Sequence, residues 1–332
     1  MSIMKKFPIS AENIAVVLLF FAAFFLTLWR FGSNQCVALI PVLVLLYRPW
    51  RQQLFSGERF KKPMILATLA FMVWVLISIS YSEAPSIARA AQGVTMYSKL
   101  LFLLVFPLAM TSPRCRYWLE QGLILGVLIN VILSTLNYYH VAWVGRYFGP
   151  YFSVNGIFSI NPLQQIFVVV IACWILAQRW VNREHQKTDI ALLIALSLYL
   201  WLINIERSGY LIYLLLILLL LYQRLNKKGV IVGLVVIPIL FLSLYATVPN
   251  VKIRVDAGIA NIITFNQAQT VHEIANDNSL GMRLAFAKES FEVIKAHPLL
   301  GTGIGSFKYV YAKIGGPANG LNDPHNAYIL VA

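Results

Sequence analysis

The sequence predicts an all-α fold: a polytopic transmembrane helix bundle with a large, partly helical periplasmic loop. Three observations predict it. Of the 332 residues, 59% are hydrophobic and 12% charged, against about 45–50% and about 25% in soluble globular proteins. Apolar runs recur from Ile14 to Val248, and a helical span needs about 20 mostly apolar residues. A polar segment, Pro249 to Pro324, then follows, far longer than an ordinary connection. Strand-like alternation is absent, which argues against an outer-membrane barrel. Helices that satisfy their own backbone groups are the remaining way to span.

Nine spans are expected, at Ile14–Trp29, Cys36–Tyr47, Met64–Tyr81, Tyr97–Met110, Leu119–Tyr139, Ile160–Ala177, Ile190–Ile205, Gly209–Tyr222 and Val230–Thr247. Several are short, and flanking Gly, Ser, Asn and Tyr are expected to extend them. Lys5 and Lys6 before an apolar run resemble a signal peptide, but no small-residue cleavage site precedes Trp29-Arg30. An uncleaved first span is therefore expected. The chain then divides into residues 1–248 (spans), 249–324 (large loop) and 325–332. The last apolar run begins at Ala327 and stops at Ala332. It is too short to span, so a truncated sequence lacking further spans is expected.

The formal net charge is +14. With the N-terminus inside, Lys5 and Lys6, Arg48 to Lys62, Arg114 and Arg116, Arg179 to Lys187, and Arg224 to Lys228 all fall on one side of the membrane. The short segments on the other side hold only Arg30, Arg89, Arg146 and Arg207. This is the positive-inside asymmetry. It places the long loop outside and removes the need for a nucleic-acid partner. Cys36, Cys115 and Cys173 all lie outside the long loop, so neither a disulfide framework nor a cysteine metal site is indicated.

Inside the long loop, Ser279 is placed to cap a helix starting at Leu280. Leu280, Leu284, Ala287, Phe291 and Ile294 line one face, and Pro298 stops the helix. Arg283 lies in its first turn, where the helix end also favours an anion. The earlier stretch, Ile253 to Asn278, is rich in Asn, Gln and Asp and is expected to be mobile. Gly301-Thr302-Gly303-Ile304-Gly305 resembles a phosphate-binding loop, but no strand precedes it, and a tight turn is the better reading. Tyr138, Tyr139, Trp143, Tyr147, Phe148 and Tyr151 read as an interfacial aromatic belt rather than a sugar-stacking surface.

Several chemistries lack residues. No span carries Asp or Glu near its middle, whereas ion-coupled transporters usually need such groups. There is no Asp-x-Asp pair, no glycine-rich loop with lysine and no His-Glu-x-x-His, so nucleotide-sugar, ATP and zinc chemistry are unsupported. What remains is Glu206-Arg207-Ser208-Gly209 at the outer end of a span, Arg283 in the loop, and His325 at the loop's end. Two readings stand for Arg207: a functional cation at the hydrocarbon boundary, or half of a local ion pair with Glu206. Alone, Arg283 reads as a solvated residue. Together the three suit one chemistry. Arginine grips phosphate in a bidentate manner, and neutral histidine can take a proton from a sugar hydroxyl.

The chain resembles the O-antigen ligase and O-antigen polymerase superfamily of bacterial inner membranes. The resemblance rests on the large loop after the ninth span and on Arg207-Ser208-Gly209 and Met282-Arg283. Its most specific parts are His297-Pro298-Leu299-Leu300-Gly301-Thr302-Gly303-Ile304-Gly305-Ser306-Phe307 and Pro324-His325-Asn326-Ala327-Tyr328. It implies a multi-pass inner-membrane lipopolysaccharide O-antigen ligase, which moves polysaccharide from undecaprenyl diphosphate to a sugar hydroxyl of lipid A-core. Arg207 and Arg283 would then bind the diphosphate, His325 would be the general base, and Asn326 would contact substrate. No metal or cofactor is implied. An O-antigen polymerase uses the same donor and is the nearest alternative, followed by a protein O-oligosaccharyltransferase and a polysaccharide exporter. A metal-dependent oligosaccharyltransferase normally carries an acidic motif in its first outer loop, and Arg30–Gln35 has none.

Overall fold

A computed structural model describes residues 11–139, 141, 162–182, 187–203, 207–267 and 279–313. Every element among them is helical. In chain order they are α1 (Ala11–Phe24), α2 (Arg30–Leu46), α3 (Arg48–Leu54), α4 (Gly57–Phe60), α5 (Pro63–Ile77), α6 (Ile87–Tyr97), α7 (Phe102–Ala109) and α8 (Pro113–Tyr138). There follow α9 (Pro162–Val181), α10 (Lys187–Leu202), α11 (Arg207–Leu225), α12 (Lys227–Thr247), α13 (Pro249–Gln267), α14 (Ser279–Ala296) and α15 (Phe307–Lys313). The described part of each predicted span lies largely in these helices, except that Tyr97–Met110 runs from the last residue of α6 through a 3-10 turn at Ser98–Leu101 into α7. Four are long and apolar enough to cross a membrane, or six if each of two bent pairs is one span, and α1 and α5 are shorter apolar helices. Local sequence sets many of the boundaries. Pro63 and Pro113 occupy first-turn positions, where a missing N–H costs nothing. Ser112 accepts from the Cys115 N–H and caps α8.

The chain forms two compact units, Met1–Tyr47 with Ala109–Val255, and Arg48–Leu108 with Asp256–Ala332. In the first unit, α1 packs along α8 at two glycines. A Cβ on Gly122 would lie 2.3 Å from the Phe20 carbonyl oxygen, and one on Gly126 would lie 2.3 Å from that of Phe24. Small residues four apart allow this backbone approach, which is the main source of helix association where lipid removes the hydrophobic drive. Buried polar contacts add to it. Asn130 donates to the Thr27 carbonyl (3.1 Å), and Gln165 donates to Ser134 and to Tyr199 (2.8 Å each). These link α8, α9 and α10 inside a core that includes Val127, Val169, Leu176 and Leu200. At the opposite ends of the same helices, Arg179 of α9 reaches Glu120 of α8 (2.9 Å) and Asp189 of α10 (3.6 Å).

One expectation for the long loop needs correction. Residues 253–267, expected to be mobile, belong to α13. Polar composition hid its pattern: Val251, Arg254, Val255 and Gly258 form the side turned inward, and Val251 is fully buried. The remaining residues of the stretch, 268–278, lie outside the described residues. The predicted loop helix is present as α14, and its apolar face is only partly covered. Ser290 is buried and Ala287, Val293 and Ile294 are half-buried, whereas Leu284 and Phe291 of the predicted face are exposed. The small Ser290 lets that side approach its neighbours, and the two larger side chains turn outward.

The glycine contact yields a direct test. Gly126→Leu should lower stability by about 1–3 kcal/mol, the usual cost of overpacking, read as a lower unfolding temperature of the detergent-solubilised protein. An exposed change such as Leu125→Ala (Leu125 is exposed on the same helix) should leave it nearly unchanged.

Candidate functional site

Arg207 is the first residue of α11, and its neighbourhood belongs to the first unit. One turn on, the Tyr210 ring stacks on Trp201 of α10, with centroids 5.0 Å apart and planes 6° apart. Trp201 also meets Tyr213 edge to face at 5.9 Å. Asn250, at the start of α13, donates to the Leu202 carbonyl (2.8 Å), which ties α13 to the end of α10. The positive end of α11 is thus held by aromatic packing and a capped carbonyl. A helix start of this kind favours an anion in general. Glu206, the partner in the ion-pair reading, lies outside the described residues.

Arg283 belongs to the second unit, in the second turn of α14, and is exposed. The helix is positioned by the turn that follows it. Gly301, Gly303 and Gly305 adopt φ of 65°, 79° and 72°, a left-handed conformation that glycine enters without steric cost. The tight turn read from the sequence is therefore present. It also docks on the end of α5. Tyr81 donates its hydroxyl to the Leu300 carbonyl (3.1 Å), Ser82 donates to the Ile304 carbonyl (2.7 Å), and the Glu83 N–H donates to the Thr302 carbonyl (3.0 Å). A Cβ on Gly303 would lie 2.4 Å from Ser82 Cα, and one on Gly305 would lie 2.9 Å from the Arg89 carbonyl oxygen. Side-chain-free backbone is a condition of the fit. Ser306, buried, donates back to the Gly303 carbonyl (2.6 Å) and shares a hydrogen bond with Thr302 (2.7 Å).

Glu83 is the hub of this contact. Its carboxylate takes Lys313 Nζ at 2.9 Å and stands 3.6 Å from His297 Nε2. A cavity of about 410 Å³ opens beside it, lined by Tyr81, Glu83, His297, Pro298, Leu299, Leu300, Gly301 and Thr302. Sequence reading missed Glu83. The available signal was that it is the one carboxylate between Tyr81 and Arg89, at the end of an apolar run. His325 and Asn326 lie outside the described residues, as do Trp143, Tyr147, Phe148 and Tyr151 of the aromatic stretch. Among the described residues, no group of three His, Cys, Asp or Glu side chains could hold a metal ion.

Residues 191–332 match the family model described as O-antigen ligase. No curated protein and no solved structure matches the chain. The matched segment contains Arg207, Arg283, His325 and Asn326, together with the whole glycine turn.

Gly303→Ala should combine a strained φ with a backbone clash. Strain of this kind costs about 1–3 kcal/mol, and limited proteolysis should cleave the loop between Ala296 and Lys313 markedly faster than in the wild type. Tyr81→Phe removes a single hydrogen bond, worth about 1 kcal/mol, and should give a smaller acceleration in the same assay.

Proposed function

Because residues 191–332 carry the O-antigen ligase family region, we propose that this membrane protein is an O-antigen ligase. It transfers polysaccharide from undecaprenyl diphosphate to a sugar hydroxyl of lipid A-core at the periplasmic face of a bacterial inner membrane. The observation that carries the reading is that every residue chosen for chemistry, namely Arg207, Arg283, His325 and Asn326, falls within the family segment. The sequence supports the orientation through the uneven distribution of Lys and Arg.

In this mechanism the acceptor hydroxyl attacks the anomeric carbon of the donor sugar. The bond from that carbon to the diphosphate oxygen breaks as the new glycosidic bond forms, and undecaprenyl diphosphate leaves. His325 takes the hydroxyl proton. Negative charge grows on the departing oxygen, so Arg207 and Arg283 stabilise the transition state more than the bound donor. Asn326 orients the substrate beside the base. Its place at the first position of α11, the positive end of a helix, supports Arg207 in receiving a phosphate.

Transfer in proteoliposomes tests this, with undecaprenyl diphosphate-linked glycan as donor, lipid A-core as acceptor and chelator present. Glycan should join the core. Arg207→Ala and Arg283→Ala should each lower the rate by about 10²–10³, and His325→Ala by about 10²–10⁴. Chain growth on the carrier lipid without transfer to core would instead identify a polymerase.

A further inference from the structure

The second unit carries an exposed apolar edge that the proposed chemistry does not use. Leu284 and Phe291 of α14 are 37% and 57% exposed, and Leu299 and Leu300 of the following turn are 90% and 56% exposed. Leu284 and Phe291 stand two turns apart on one helical face, and the chain runs on from that face into Pro298-Leu299-Leu300. Two lysines rise from the same face as Leu284 and Phe291: Lys288 is exposed, and Lys295 lies 5.1 Å above the Phe291 ring while pairing with Glu292 at 2.9 Å. Arg283, also exposed, stands to one side. Lysine stems can lie along apolar surroundings while their charged heads reach up to a polar layer.

What fixes the occupant is the height at which the turn is held. The Tyr81 hydroxyl binds the Leu300 carbonyl, and Ser82 and Glu83 bind the next residues of the same turn. Tyr81 closes the apolar run that begins at Met64, and a tyrosine at the end of an apolar run is a marker of the membrane–water boundary. Leu299 and Leu300 are therefore tied to the level at which α5 leaves the hydrocarbon. The polar groups beside them, His297, Glu83 and Lys313, pair with one another, which fits the headgroup layer.

We propose that the stripe Leu284–Phe291–Leu299–Leu300 inserts into the acyl boundary of the bilayer that its own spans cross, with Lys288, Lys295 and Arg283 at the level of the lipid phosphates. The long loop is then anchored to the membrane surface along α14, and Arg283 is kept at phosphate depth. The partner is bilayer phospholipid, and the anchoring does not depend on which glycan is transferred.

Wild-type protein in vesicles of phosphatidylethanolamine and phosphatidylglycerol, doped with a phospholipid carrying a diazirine in its acyl chain, provides the first test. After irradiation, mass spectrometry should find lipid adducts on Phe291 and on Leu299 or Leu300, as well as on the spans. Adducts on the spans with none between Leu284 and Leu300 would overturn the proposal. A second measurement uses nitroxide labels at Phe291→Cys, Leu299→Cys and Glu292→Cys, with Cys36, Cys115 and Cys173 replaced by Ala. Accessibility to a water-soluble nickel chelate should be about tenfold lower at Phe291 and Leu299 than at Glu292, as for side chains set ~5–10 Å into the boundary. Equal accessibility at all three would show the stripe to face water.

Discussion

Bare backbone at Gly303 and Gly305 is the constraint on which the second unit depends. The two residues combine a left-handed φ with approaches to Ser82 and Ala90 that no side chain would permit. Three hydrogen bonds from Tyr81, Ser82 and Glu83 can form only after that approach. The turn is hence specified twice, by conformation and by contact, and it ties the segment that follows α14 to the end of α5. Glu83 then adds charge to a contact that backbone shape has already selected. Its partners His297 and Lys313 come from either side of the turn, so one carboxylate closes the loop at both ends.

Within the first unit the same device appears without any special φ. Gly122 and Gly126 bring α8 against α1, and the buried amides of Asn130 and Gln165 take up the polar groups that such a close bundle encloses. A buried amide is costly unless paired, so these contacts select one register of α8 against its neighbours. Arg179 works at the polar end of the same helices, with carboxylates from α8 and α10 both within 4.0 Å. Because the arginine and Asp189 are both largely withdrawn from solvent, separating them would strand charge, which makes the triad a fixed feature rather than a decorative surface pair.

Much of this was legible in the sequence. Hydrophobic runs marked where the apolar helices lie, four to six of which are long enough to span, because their length and composition leave few alternatives in lipid. Pro298 and the glycines marked the stop of α14 and the turn after it, since their backbone restrictions act locally. What escaped was set by tertiary partners. Residues 253–267 read as polar and loop-like, yet Val251, Val255 and Gly258 supply enough of a face to fix a helix. Periodicity found the apolar stripe of α14 but could not say which part of it faces protein, because Ser290 is preferred at the contact for its size. Glu83 was invisible for a similar reason: its partner His297 is more than two hundred residues away in the chain, and nothing local announces the pairing. For the candidate site, residue type marked Arg207, Arg283 and His325, whereas the fold assigns the two arginines to different units.

That division has a physical consequence for the proposed reaction. A diphosphate leaving group needs cations placed where its charge develops, and their worth rises as water is excluded. Arg207 is carried by the end of a membrane helix, fixed by the Trp201–Tyr210 stack next to it. Arg283 is carried by a loop helix whose position is set by the glycine turn. Under the proposed reaction, anchoring α14 at the membrane surface would keep Arg283 in the plane in which a lipid-linked diphosphate also moves, and would reduce the search for the reactive arrangement from three dimensions to two.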